Sequence, residues 1–206
     1  MQLVTAPTQE PVTLVEAKAH LRVDFADDDA LITSLIAAAR QAAETLTGRQ
    51  LTTARWKQVL DCFPGGALMG FGVDRPFSLP GHAILIAKAP LQSVVSIEYL
   101  DMGAVLQTLA APMYTVDAAC EPARITPVFG QVWPNSLPQI GAVSVTFDAG
   151  YGGPSLVPDG IKAWIKIRVG SLYAHREEVA VTGRGQGIVP LPFIDGLLDP
   201  FRVITC

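Results

Sequence analysis

The sequence predicts an α+β fold, in which a helical core is interrupted by an inserted antiparallel β-sheet or small sandwich and followed by a flexible C-terminal arm. Apolar residues recur with the helical period near both ends of the chain, whereas they alternate with polar residues in the proline-rich middle. Segments of different type that follow one another favour an α+β architecture. We expect a single domain over residues 1–206, with a helical segment over residues 1–51, a β region over 52–153, a core helix over 158–180 and an arm over 181–206.

A short first helix is expected to begin after Thr13. The Thr13 hydroxyl can accept a hydrogen bond from the Glu16 amide while the Glu16 carboxylate reaches back, which is a capping box. The acidic run 27–29 is expected to cap a longer second helix and to place negative charge at its positive end. Gly48 is expected to end that helix in the left-handed conformation.

The second helix carries a broad apolar face rich in alanine, and small side chains let helix axes approach closely. Its expected partner is a third helix from Asp159 to about Val179, so the two ends of the sequence should meet in one helical core. The predicted stripe on the second helix comprises Leu31, Leu35, Ala38, Ala42 and Leu46, flanked by Ile32, Ile36, Ala39 and Ala43. The facing stripe comprises Ile161, Ile165, Val169 and Leu172, joined by Trp164 and Tyr173.

The middle of the chain predicts short strands. Apolar and polar residues alternate over residues 56–60, 94–99 and 143–147. The segment 101–104, Asp-Met-Gly-Ala, is typical of a hairpin turn.

The composition suits a folded protein that neither wraps nucleic acid nor crosses a membrane. Half of the 206 residues (50%) are hydrophobic, which is enough to form a core. The net charge of -4 argues against wrapping nucleic acid, because that requires many Lys and Arg side chains. Every apolar run is interrupted well short of the roughly 20 residues that span a bilayer. Cys62, Cys120 and Cys206 form no C-x-x-C pair and indicate reduced thiols in a soluble, cytoplasmically made protein.

No constellation of residues points to catalysis, a metal or a cofactor. The segment 183–187 lacks the Lys-Ser/Thr of a nucleotide-binding loop and follows a helix, so it is interpreted as a hinge. His175 and Glu178 stand one helical turn apart, but no further ligand has a useful spacing. No nucleophile elbow or Ser/His/Asp grouping stands out. We therefore expect no enzymatic activity.

The alternative function is a helix-turn-helix DNA-binding regulator, since residues 13–23 superficially resemble the first helix of small regulators. The second helix would then be the recognition helix. It opens with three aspartates, and its only basic residue is Arg40 near the far end. Charge disfavours this alternative, because the aspartates would face phosphates at close range.

The chain after the third helix predicts an arm with a flexible base. Gly183, Gly185 and Gly187 are the predicted hinge. The apolar anchors of the arm are predicted to be Leu191, Phe193, Leu197, Leu198 and Phe201. The arm either docks on a neighbouring protein, which the glycine tether favours, or folds back on its own domain.

A series of short motifs runs in order along nearly the whole chain. They are residues 11–24, 28–51, 90–99, 114–117, 122–125, 133–134, 143–152, 157–162 and 191–198. Each is weak alone, but in this order they resemble the head-tail connector (adaptor, or head-completion) proteins of tailed double-stranded DNA phages. The resemblance is to the prophage-type branch of that family.

The resemblance implies a structural protein without chemistry. It implies a bacteriophage or gene transfer agent virion protein, made in the cytoplasm of the host bacterium and located in the virion neck. The implied partners are further copies of the chain in a twelvefold ring, the portal protein and a downstream neck or tail protein. Double-stranded DNA would pass through the ring without specific contacts, and no membrane is involved. The apolar anchors of the C-terminal arm would form the portal or subunit interface.

Overall fold

The computed structural model describes residues 1–65, 81–175 and 195–203. The described chain separates into two compact units. The sheet unit consists chiefly of Met1–Pro7 and Thr53–Gly150, and the helical unit consists of Thr8–Thr52 and Tyr151–Arg202. No helix in the described ranges is long and apolar enough to cross a membrane.

Three α-helices are described in the helical unit: α1 (Leu14–Leu21), α2 (Asp29–Thr47) and α3 (Asp159–Ala174). The capping box predicted at the start of α1 is confirmed. The left-handed end of α2 is confirmed as well, because Gly48 has a φ of 72°. The helix α3 begins at Asp159, as predicted, and is described to Ala174, whereas the rest of the predicted helix, from residue 176 to about Val179, lies outside the described residues.

The predicted side-chain cap of α2 is wrong. Asp28 occupies the N-cap position of the described helix but makes no side-chain cap hydrogen bond. Its carboxylate instead accepts a hydrogen bond from the Tyr173 hydroxyl on α3. Asp29 forms an ion pair with Lys18 of α1, with 2.6 Å between Oδ1 and Nζ. The acidic residues therefore link α2 to both of its neighbours, because partners from other helices compete successfully with the local backbone amides.

The apolar face of α2 packs against α3, as predicted, and also against α1. The centre of the buried face lies one residue further along α2 than the predicted stripe. This is because α2 contacts α1 as well as α3, so the residues that lie between these two helices are the most buried. The buried apolar residues are the predicted flanking ones, Ile32, Ile36, Ala39 and Ala43, whereas Ala38 and Leu46 are exposed. They form a core with Val12, Ala17, Leu51, Val157, Ile161, Trp164, Ile165, Val169 and Leu198.

The strands form two antiparallel sheets. Their bounds are β1 (Gln2–Thr5), β2 (Ala54–Leu60), β3 (Ile84–Leu85), β4 (Leu91–Leu100), β5 (Leu106–Thr108), β6 (Tyr114–Asp117), β7 (Arg124–Pro127) and β8 (Val143–Ala149). The five-stranded sheet has the order β1-β2-β8-β4-β5, and the three-stranded sheet has the order β3-β7-β6. The three strands predicted from alternation are confirmed as β2, β4 and β8, the inner strands of the larger sheet.

The core of the sheet unit lies on one face of the larger sheet. On the central strand β8, Val143, Val145, Phe147 and Ala149 are fully buried, as the two-residue period requires. The intervening Asp148 accepts two hydrogen bonds from Arg55 on β2, at 2.8 and 2.9 Å. These hydrogen bonds lower the pKa of Asp148.

The hairpin turn predicted between β4 and β5 is confirmed. The Ala104 amide donates to the Asp101 carbonyl at 2.9 Å, and Ala104 adopts a φ of 59°. The Asp101 carboxylate accepts hydrogen bonds from the amides of Gly103 and Val105 and from the Gln107 side chain. Hydrogen bonds from the backbone, chiefly from Val105, lower the pKa of Asp101. One aspartate thus holds the whole turn.

Candidate interaction surfaces

The paired amino-terminal helices are joined by a short polar network. The Thr13 amide donates to Glu16 Oε2 at 2.8 Å, and the Glu16 amide donates to Thr13 Oγ1 at 3.2 Å. The hydrogen bond from the Thr13 backbone is the main reason that the pKa of Glu16 is lowered. Lys18 donates to the Phe25 carbonyl at 2.7 Å as well as to Asp29, so it spans the connection between α1 and α2. The network orients two helices and presents no reactive group.

The structure argues against α2 as a DNA recognition helix. Arg40, its only basic residue, is buried. Its Nε donates to Glu10 and its Nη1 donates to Glu44, both at 2.8 Å. Glu44 in turn accepts hydrogen bonds from Gln50 Nε2 at 2.6 Å and from the Leu51 amide at 3.2 Å. A buried guanidinium that is paired with carboxylates cannot neutralise phosphates.

The helical unit has an open cavity of about 380 Å³ beside the start of α1. Its walls are largely apolar, and its one carboxylate, that of Glu10, is already paired with Arg40. The lining residues are Gln9, Glu10, Val12, Thr13, Leu14, Thr33, Ile36 and Pro154. A cavity with this lining is better suited to binding an apolar side chain than to catalysing a reaction.

The described end of the predicted C-terminal arm packs on the helical core of its own unit. Leu198 is fully buried there, and Leu197 and Phe201 pack against the same core. A Cβ atom at Gly160 would lie only 3.1 Å from the Phe201 ring, so a larger residue here would require the ring to shift by a few tenths of an ångström. Arg49 Nε donates to the Phe201 carbonyl. Leu191 and Phe193 and the hinge residues Gly183, Gly185 and Gly187 lie outside the described residues, and the interface role of the arm stays a prediction.

The sheet unit exposes apolar side chains that the sequence pattern does not single out. Phe129 is fully exposed at the tip of a turn in which the Gln131 amide donates to the Val128 carbonyl at 2.9 Å. Further exposed apolar residues are Met1, Leu3 and Val4 in and beside β1, Met102, Val105 and Leu106 in and beside β5, and Val132 and Ile140. These residues do not recur at a helical or strand period, so the sequence alone does not distinguish them from apolar residues of the core.

No group of three or more His, Cys, Asp or Glu side chains in the described residues could hold a metal ion. Cys62 and Cys120 are free thiols. The Cys120 sulfur accepts a hydrogen bond from Arg124, which also pairs with Asp117. The hydrogen bond from Arg124 lowers the pKa of the Asp117 carboxyl. The ionic groups of this region therefore pair with one another across the β6–β7 hairpin.

Comparison with known families gives a match over the paired helices and the beginning of the sheet unit. Residues 11–82 match the family model described as Phage gp6-like head-tail connector protein. The resemblance to the head-tail connector family is confirmed. The matched segment, residues 11–82, contains the Thr13 capping box and the links between α1 and α2. Comparison with curated proteins found no match.

Solved structures share the fold over the whole chain. A chain from the neck of an empty gene transfer agent particle, computed with C6 symmetry, is 23% identical with a TM-score of 0.73, and the match covers 100% of this chain and 96% of that one. A chain from the virion of a native particle is 22% identical with a TM-score of 0.74 and the same coverage. A chain from the neck of a native particle, computed with C12 symmetry, is 21% identical with a TM-score of 0.68, covering 100% of this chain and 97% of that one.

Proposed function

We propose that the protein is a structural component of a phage-type virion neck, where it forms a ring between the portal and the tail. The observation that carries the proposal is the match of residues 11–82 to the head-tail connector family model. The fold shared with neck chains of gene transfer agent particles supports it. Its function is assembly, and it has no enzymatic activity.

A closed ring of identical copies requires that one patch of each copy contact a different patch of the next. The similar neck chains belong to particle necks computed with C6 and C12 symmetry. We propose twelve copies on the portal. The exposed apolar residues beside β1 and beside β5 are two such patches on one subunit.

The ring would extend the channel for double-stranded DNA without gripping it. The net charge of -4 leaves the chain without an excess of cations. Several arginines also form salt bridges with carboxylates: Arg40 with Glu10 and Glu44, Arg55 with Asp148, and Arg124 with Asp117. Paired cations add little to non-specific phosphate binding, so DNA could pass during packaging and ejection.

The portal contact is assigned to the C-terminal arm, and a downstream neck or tail protein would bind the opposite side of the ring. Leu191, Phe193, Leu197 and Phe201 remain its proposed anchors, with Gly183, Gly185 and Gly187 as the hinge, whereas the fifth predicted anchor, Leu198, is fully buried in the helical core of its own subunit. Because Leu198 is buried in the helical core, its substitution would report on folding as well as on binding. Leu191 and Phe193 are therefore the positions at which the portal contact is tested.

The experiment adds the purified full-length chain to tail-less, DNA-filled heads that lack it, and images the portal vertex by cryo-electron microscopy. We expect a ring of twelve copies at that vertex. Leu191→Asp and Phe193→Asp should abolish attachment, whereas Leu156→Asp, at an exposed leucine of the helical unit, should retain it. Absence of any ring at the vertex would refute the neck assignment. Attachment of the arm variants at the level of the unsubstituted chain would refute only the assignment of the portal contact.

A further inference from the structure

The larger sheet ends on both sides in a strand with one neighbour. Within the described residues, β1 pairs with β2 and β5 pairs with β4, and neither is bonded to a second strand. An outer strand presents a row of backbone N–H and C=O groups that can pair with another chain. Both edges belong to the sheet unit, so one subunit carries two edge strands of the same sheet that no other described strand covers.

Both edge strands are short, which is one feature by which proteins limit such pairing: β1 has four residues and β5 has three. Charged residues, above all lysine, and prolines also block such pairing, and none occurs in Gln2–Thr5 or Leu106–Thr108. Only the shift in pairing register between Leu3 and Thr5 interrupts the regularity of β1. Their apolar side chains are exposed: Leu3 by 45%, Val4 by 52% and Leu106 by 63%.

The direction of the strands restricts how copies can join. Each neighbouring pair in the five-stranded sheet is antiparallel, so strand direction alternates across it. Since the number of strands is odd, β1 and β5 run in the same direction. A copy related by rotation about a ring axis keeps its strand directions when it continues the sheet. The junction between β5 of one copy and β1 of the next is then parallel, and it joins two different edges.

We propose that β5 of each subunit pairs in parallel with β1 of the next copy, so that the larger sheets form one continuous band around the ring. This inference rests on the proposed function, because only a ring of identical copies supplies the second edge at every junction. The junction buries Leu3 or Val4 of one copy beside Leu106 of its neighbour. It is a heterologous contact, as ring closure requires.

Cysteine cross-linking tests the junction. In the full-length chain with Cys62, Cys120 and Cys206 replaced by serine, Leu3→Cys and Leu106→Cys are introduced singly and together. Samples are oxidised both at high protein concentration and after attachment to tail-less heads, and ring formation is followed in parallel by electron microscopy. We expect the double variant to give a ladder of covalent dimers, trimers and larger species, and each single variant to remain monomeric on non-reducing gels.

Three results would overturn the inference in different ways. Rings without a cross-linked ladder would place the lateral contact elsewhere and leave the proposed function intact. Covalent dimers of either single variant, at the yield of the double variant, would show that like edges pair across a two-fold axis. Absence of rings in both preparations would remove the proposed function together with this inference.

A matched pair of charge variants gives a second readout. Leu106→Lys places a charge on the β5 edge, and Leu156→Lys places the same charge on a leucine of nearly equal exposure, 63% against 64%. We expect Leu106→Lys to lose ring formation at an unchanged melting temperature and Leu156→Lys to keep it. Equal loss in both variants would show that added charge, rather than the β5 edge, disturbs assembly.

Discussion

The Tyr173 hydroxyl in the last turn of α3 donates a hydrogen bond to the carboxylate of Asp28, the residue immediately before α2. The contact joins residues that are 145 positions apart in the sequence. It adds a polar link to the apolar packing of α2 on α3, at the end of the helical unit where α2 begins.

Removal of this link should destabilise the helical unit. Tyr173→Phe deletes the donor to a charged acceptor, which costs about 1.5–3 kcal/mol of unfolding free energy. Urea unfolding followed by circular dichroism measures the loss. Asp27→Asn, at the exposed neighbouring aspartate, is the control and should change little. A double-mutant cycle with Asp28→Asn that shows no coupling to Tyr173→Phe would contradict the assigned contact.

Enlargement of the buried face of α2 should overpack it. Ala39→Leu inserts a larger side chain between α2 and its neighbours at a cost of about 1–3 kcal/mol. Ala38→Leu makes the same change on the exposed side of the same helix and should stay within about 0.5 kcal/mol of the unsubstituted chain. Thermal melts of the two variants compare them directly. Equal costs would mean that the predicted stripe, centred one residue earlier, describes the buried face after all.

The Arg55–Asp148 pair should make the stability of the sheet unit depend on pH in the acidic range. Because the pKa of Asp148 is lowered in the folded state, the carboxylate contributes stability that is fully present above the unfolded value of about 3.9 and is lost as the pH falls through the lower folded value. We expect Asp148→Asn to flatten the fall in urea midpoint below about pH 4. Asp24→Asn, at an exposed aspartate, is the control. The same acid dependence in Asp148→Asn and the unsubstituted chain would show that other carboxyls cause it.

Truncation of Leu198 tests whether the described end of the arm belongs to the core. Leu198→Ala should cost about 2–5 kcal/mol, because the side chain is fully buried. Leu156→Ala removes the same atoms from an exposed position and should have a small effect. Chemical denaturation followed by circular dichroism measures the loss of the helices, which belong to this unit. If the two leucine variants unfold at the same denaturant concentration, the segment contributes nothing to folding.

Local signals account for the elements that the sequence predicted correctly. The capping box at Thr13, the end of α2 at Gly48 and the turn at Asp101 each depend on residues within a few positions of one another. The alternation in β2, β4 and β8 is visible in the sequence because one face of each strand is buried. These features require no knowledge of a distant partner.

The errors and omissions concern distant partners. The local rule assigned Asp28 to a helix cap, whereas its carboxylate partner Tyr173 becomes available only through the packing of α3. The strand β1 has no local signal in the sequence, because all four of its residues are exposed and no alternation marks it, and its partner β2 lies about fifty residues away. The rotation of the α2 face depends on α1 and α3 together.

The construction of the helical unit from both ends of the sequence has a consequence for synthesis on the ribosome. Residues through Gly150, which suffice for the strands of the sheet unit, emerge before α3 does. During that interval α1 and α2 lack the partner that buries Ile32, Ile36 and Ala39. Chains fold in units as those units become complete. The sheet unit can therefore fold while translation continues, and the helical unit closes only after α3 and the segment that carries Leu198 have been made.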